Sequence, residues 1–211
     1  PITAMTGAVE LIELTHSGGA PGDEFFNVLS RGVADLRRYV EKLAELTRPP
    51  SRSRERLDLR ALLRGVSLRT KASSRLALAE IEDLSEPLHV LANEHDLQRA
   101  LLNLIENAAD AAQASPHPSV RVSVQPREGF AHVEVRDSGP GIPPQVQSSL
   151  FEPFATYGKQ GGTGLGLAIV LQIAESCGGT ISVLESTPAG STFQLRLPLV
   201  ADHLVGIASD E

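Results

Sequence analysis

Two asparagines, one aspartate and a run of glycines carry the chemistry this chain can do. Asn103 and Asn107 stand four residues apart in Asn103-Leu104-Ile105-Glu106-Asn107-Ala108-Ala109-Asp110-Ala111. On a helix that spacing stacks both carboxamides on one face. A buried amide without partners costs roughly 1–3 kcal/mol. A magnesium ion, which takes hard oxygen ligands and keeps waters while bridging phosphates, answers that need. Asn107 is read as the Mg2+ ligand and Asn103 as its companion on phosphate or on metal-bound water. Two asparagines standing alone would more often cap neighbouring loops, and it is the blocks following them that favour the metal.

The second block is Asp137-Ser138-Gly139-Pro140-Gly141-Ile142. A carboxylate at a strand end accepts from an amino group such as the exocyclic amine of adenine, while Gly139 and Gly141 let a flat base approach the backbone. Guanine presents a carbonyl at that position, so the contact would select adenine. In isolation the same residues would read as a plain turn. Phe151-Glu152-Pro153-Phe154 follows, and then Gly161-Gly162-Thr163-Gly164-Leu165-Gly166-Leu167 immediately before a helical pattern. Bare amides at a helix N-terminus favour an anion, helped by the helix dipole. Gly162, Thr163, Gly164, Leu165 and Gly166 are thus expected around a triphosphate, with Ala155–Gly162 as a short lid and Lys159 as a mobile positive charge or a solvated side chain. The spacing is not G-x-G-x-x-G, and no Walker loop occurs. The four ordered blocks together describe a pocket for ATP and Mg2+.

The rest of the composition narrows the field. The chain has 211 residues, 41% of them hydrophobic, and a net charge of −7, which disfavours a general nucleic-acid surface. Five arginines between Arg48 and Arg60 read as a solvated linker rather than a phosphate grip. Cys177 is the single cysteine, so no intrachain disulfide forms and a reducing, cytoplasmic setting is expected. His16, His89, His95, His117, His132 and His203 show no metal-ligand spacing and are read as structural or surface residues. No apolar run is long enough to span a bilayer. The opening at Pro1, inside a helical pattern, suggests a piece of a longer protein whose membrane anchor, if any, lies elsewhere.

These residues need positioning elements. Ile2, Met5, Val9 and Ile12 mark one face of a first helix, and Ser17–Gly22 breaks it. Phe26, Leu29, Val33, Leu36, Val40 and Leu43 then recur at alternating spacings of three and four, a helix-bundle seam. Residues 1–48 are therefore expected to form a hairpin that pairs with a second copy into a four-helix bundle, or else one that folds back on its own domain. Residues 49–57 are read as linker, 58–200 as a catalytic domain and 201–211 as a mobile tail. Within the domain the pattern predicts a helix from Asp58 to about 72, strands near 75–81 and 88–92, a helix over 94–114 capped by Asn93, and strands near 119–125 and 130–137. A helix over 164–176 and strands at 180–185 and 191–198 complete it. Mixed strands with helices on one side give an α+β, two-layer sandwich.

In that order, the four blocks resemble the N, G1, F and G2 boxes of sensor histidine kinases, members of the wider ATPase family that includes gyrase, the Hsp90 chaperones and MutL. The resemblance covers roughly residues 58–199, and the short lid with Asn-Ala-Ala-Asp-Ala looks most like kinases of the nitrogen-regulation type. It implies the Bergerat or GHKL ATPase fold. Gly190-Ser191-Thr192-Phe193 looks like the last, weaker box, and the resemblance places Thr192 at the adenine pocket. Asp110 departs from the pattern, since many relatives carry a basic residue there. Pro1-Ile2-Thr3-Ala4 is similar to the end of the phosphoacceptor block, which would put the acceptor histidine a few positions before Pro1; none of its role passes to His16. The implied function is the core of a histidine kinase, a homodimer that passes the γ-phosphoryl of Mg-ATP to that histidine and on to an aspartate of a response-regulator receiver domain. An anti-sigma-factor type of serine kinase and a non-catalytic ATP-binding scaffold remain alternatives.

Overall fold

The computed structural model describes residues 22–51, 53–72, 79–82, 86–156 and 163–200. The expected first helix, the glycine turn before Gly22, the start of the strand near 75–81, Lys159, Gly162 and the C-terminal tail lie outside the described residues.

Helix α1, Gly22–Thr47, spans the bundle-like seam and stops before Pro49-Pro50, which cannot continue the i→i−4 ladder. Its last carbonyls are used by the Thr47 hydroxyl, 3.1 Å from the Leu43 oxygen and 3.2 Å from that of Ala44. The following segment is not the free linker expected over 49–57. The Ser51 amide donates to the Asp96 carboxylate at 2.7 Å, and residues Glu55–Asp58 form strand β1. β1 pairs antiparallel with β3, His89–Ala92, in a separate two-stranded sheet. A charged stretch such as Glu-Arg-Leu-Asp carries little strand signal; the pairing partner supplies it.

Asp58 caps α2, Leu59–Ala72, by accepting from the Arg60 amide at 3.0 Å. β2, Ala79–Ile81, runs parallel to β4, Val120–Arg127. Between β3 and β4 lies α3, Glu94–Ala112, whose N-cap Asn93 accepts from the Asp96 amide at 3.2 Å. β4 turns through Glu128-Gly129 into the antiparallel β5, Phe130–Asp137. After a single-turn helix α4, Pro144–Gln147, comes α5, Gly166–Ser176, which begins two residues later than expected and ends at Gly178, where φ is +71° and the Gly178 and Gly179 amides return to Glu175 and Ala174. The hairpin of β6, Thr180–Thr187, and β7, Gly190–Pro198, completes a five-stranded sheet of order β2-β4-β5-β7-β6.

Alternation decides the layers. Val122, Val133, Val135 and Leu195 point to one sheet face and are buried there with Leu97, Leu101, Leu104 and Ile105 of α3 and Ile169 and Ile173 of α5. Their neighbours Glu134 and Gln194 point the other way and hydrogen-bond to each other at 3.0 Å, and Arg196 lies 4.6 Å over the Phe130 ring. One apolar face and one polar face make the two-layer α+β sandwich that the sequence predicts.

Candidate functional site

Asp137 sits at the last position of β5 and is only 3% exposed. Its Oδ1 accepts from the Gly139 amide at 2.7 Å and from the Ser191 amide at 3.4 Å. The carboxylate is thus aimed by two backbone donors from different segments. Gly139 could not be another residue: an added Cβ would stand 2.8 Å from that oxygen and 2.7 Å from the Ala111 carbonyl at the end of α3. The Gly139–Ile142 loop is fastened to the β6–β7 hairpin, because the Ile142 amide donates to the Ser186 hydroxyl at 2.7 Å and that hydroxyl lies 3.3 Å from Ser191 Oγ.

The register corrects one expectation. Thr192 lies directly opposite Arg136, whose side chain is exposed on the polar sheet face. Asp137 is one residue further and points to the helical face, where its partner across the sheet is Ser191. A strand has period two, so a shift of one residue changes the face. Ser191 and Ser186 therefore stand beside Asp137, and Thr192 does not.

Asn103 and Asn107 lie on one face of α3, as their spacing requires; Asn103 is 3% exposed and Asn107 half-buried. Both carboxamides meet the head of α5. A Cβ on Gly166 would come within 3.3 Å of Asn107 Nδ2 and 3.5 Å of Asn103 Oδ1, so glycine leaves the space in front of the amides open. Just before it, Gly164 adopts φ +65° and presses on the backbone of Phe154, whose own φ is +68°. The Phe154 amide donates to the Gly164 carbonyl at 2.9 Å, and the Leu165 amide donates to Thr163 Oγ1 at 3.4 Å. Leu165 is fully buried and anchors the start of α5.

One residue at this site was not legible in the sequence. Lys42 of α1 donates from Nζ to Asn103 Oδ1 at 2.7 Å and pairs with Glu45 at 3.3 Å. Among the described residues Asn103 Nδ2 is buried with no partner. The hard amide oxygens and the open cradle at Gly166 suit a hydrated Mg2+ held chiefly by phosphate and one or two protein oxygens, while the orphaned donor suits a phosphate oxygen. No group of three His, Cys, Asp or Glu side chains among the described residues could hold a metal instead. Cys177 lies at the opposite end of α5, where burial pushes its thiol upward in pKa against the Ser176 hydrogen bond. No described helix is long and apolar enough to cross a membrane.

A model of the histidine kinase-, DNA gyrase B- and HSP90-like ATPases matches residues 92–201, which contain every block above. The C4-dicarboxylate transport sensor protein DctB of Rhizobium meliloti (strain 1021) is 33% identical over 196 residues, covering 93% of this chain and 29% of that protein. The chain thus spans less than a third of that relative's length. The structure of the mycobacterial sensor histidine kinase MprB superposes with a TM-score of 0.60 at 32% identity, covering 69% of this chain and 98% of its own. Full-length ShkA, solved in complex with AMPPNP, shares the fold with a TM-score of 0.73 at 24% identity, over 95% of this chain and 43% of that one. With the family model matched over more than half its length, and with histidine kinases recurring among its relatives, this chain belongs to the histidine kinase-, DNA gyrase B- and HSP90-like ATPases.

Proposed function

We propose that this chain is the hairpin-and-catalytic portion of a sensor histidine kinase, of the nitrogen-regulation type, that binds Mg-ATP and delivers its γ-phosphoryl group to a histidine lying outside the chain. The observation that carries the reading is the pairing of an aimed, buried carboxylate at the end of β5 with two carboxamides at the head of α5. Asp137 accepts from the adenine amine, and Gly139 and Gly141 let the loop beside it pack directly on the Ala111 and Thr187 backbones. Ser191 and Ser186 line the same corner. The triphosphate lies between Asn107 and the Gly161–Gly166 loop, with Thr163, Gly164 and Leu165 shaping the turn.

Magnesium, when bound, neutralises charge on the phosphate oxygens and orients them. The chain's own work is positioning: Asn107 and Asn103 fix the phosphate tail, and the α5 N-terminus stabilises its negative charge. Phosphoryl transfer is an in-line displacement: the acceptor imidazole nitrogen forms the new bond to phosphorus while the bond to the β-phosphate oxygen breaks and ADP leaves. A second transfer moves the group to a response-regulator aspartate. The α1 seam supplies the homodimer contact.

The test is incubation with γ-labelled ATP of this protein carrying the residues before Pro1. Acid-labile label on a histidine is expected. Acid-stable label on a partner serine would assign a serine kinase instead, and nucleotide binding without any label would assign a scaffold.

A further inference from the structure

Lys42 and Asn103 are separated by 61 residues in the chain, yet their side chains meet at 2.7 Å. The oxygen that Lys42 engages is the one beside the head of α5, 3.5 Å from a Cβ placed on Gly166. Lys42 and Glu45 are 22% and 35% exposed, so their ion pair sits in the crevice between α1 and the catalytic domain rather than in open water. Leu46, on the same stretch of α1, packs against the core.

A lysine ammonium carries three donors and no acceptor. To a carboxamide oxygen it offers what a metal-bound water offers, a proton donated from a positively charged centre. Held together at Asn103 Oδ1, the ammonium and the divalent ion would repel, so each disfavours the other there. Glu45 acts in the same direction: it offsets the pull of the ammonium on a triphosphate and repels the phosphate oxygens directly.

We propose that Lys42 is a tethered competitor of hydrated magnesium at Asn103, so that Mg-nucleotide entry displaces it and releases α1 from the catalytic domain. This rests on the nucleotide reading above. Occupancy of the pocket then governs whether the hairpin helix and the catalytic domain stay docked. The sign depends on the metal. Without Mg2+ there is no cation to exclude, and the ammonium itself can attract a phosphate.

Calorimetry with AMPPNP on the full chain tests this, comparing wild type with Lys42→Met in Mg2+ and in EDTA. The variant is expected to bind Mg-AMPPNP about fivefold or more tightly, the lower range of a typical site-to-site coupling, and to gain nothing in EDTA. Amide hydrogen exchange supplies a second readout: saturating Mg-AMPPNP should raise exchange over Leu43–Thr47 in the wild type, and Lys42→Met should show the raised level before nucleotide is added. Equal or weaker Mg-AMPPNP binding by the variant, an equal gain in EDTA, or unchanged exchange in nucleotide-saturated wild type overturns the competition while leaving the nucleotide site intact. A wild type that takes up no AMPPNP under either condition overturns both.

Discussion

Asp137 shows how much a single oxygen can be asked to do. Its Oδ1 is held by the Gly139 and Ser191 amides, and an asparagine could present an oxygen to the same donors. Asp137→Asn therefore preserves the turn but sets an N–H donor against the adenine amine. Hydrogen bonds to charged groups contribute about 1.5–3 kcal/mol, so calorimetry should show ATP affinity falling by roughly 10- to 100-fold, with little change in the thermal midpoint. Asp137, Asn103 and Asn107 could be singled out in the sequence by their spacing and by the ordered blocks in which they stand. Thr192 was misplaced by one position, and only the pairing of Arg136 with Thr192 shows which sheet face each residue takes. Lys42 had no local signal at all, since a lysine on an amphipathic helix looks solvated until the fold brings Asn103 to it.

Elements with strong periodicity or caps were the easiest to read. α3 begins where Asn93 says it should, and that side chain also reaches back, donating from Nδ2 to the Ser53 carbonyl at 3.3 Å. Asn93→Ala removes the cap and this strap together. A lost N-cap costs about 1 kcal/mol, and for a chain of this size a thermal scan should place the midpoint about 2–4 °C lower. The same mutation should not alter the nucleotide pocket, which lies further along the helix at Asn103 and Asn107. β1 is the opposite case. Its four residues carry three charges, and nothing in Glu55–Asp58 distinguishes strand from linker until β3 lies alongside it. Short strands in a small ladder owe their existence to partners, whereas long amphipathic helices announce themselves.

For the molecule as a whole, the fold class was legible because alternating and helical periods segregate so cleanly into one buried and one open sheet face. How the chain assembles was legible only as an unmet need. Leu36, Val40 and Leu43 on α1 remain 53%, 45% and 41% exposed, an apolar stripe with no cover among the described residues. If a second copy covers it, sedimentation should find a dimer, and Leu36→Glu with Val40→Glu should yield a monomer whose catalytic domain melts as before, because neither residue belongs to the core.

The backbone bond from Phe154 to the Gly164 carbonyl has a consequence for variation among such proteins. It clasps the two stems of the intervening span as a buckle closes a strap. What lies between can then be lengthened with little penalty, since doubling a closed loop costs only about 0.6 kcal/mol, and the head of α5 stays where the buckle holds it. Changes to the buckle itself are another matter, because a side chain at Gly164 would strike the Phe154 backbone. Length is therefore the cheap variable of this segment, and its two anchor points are the dear ones.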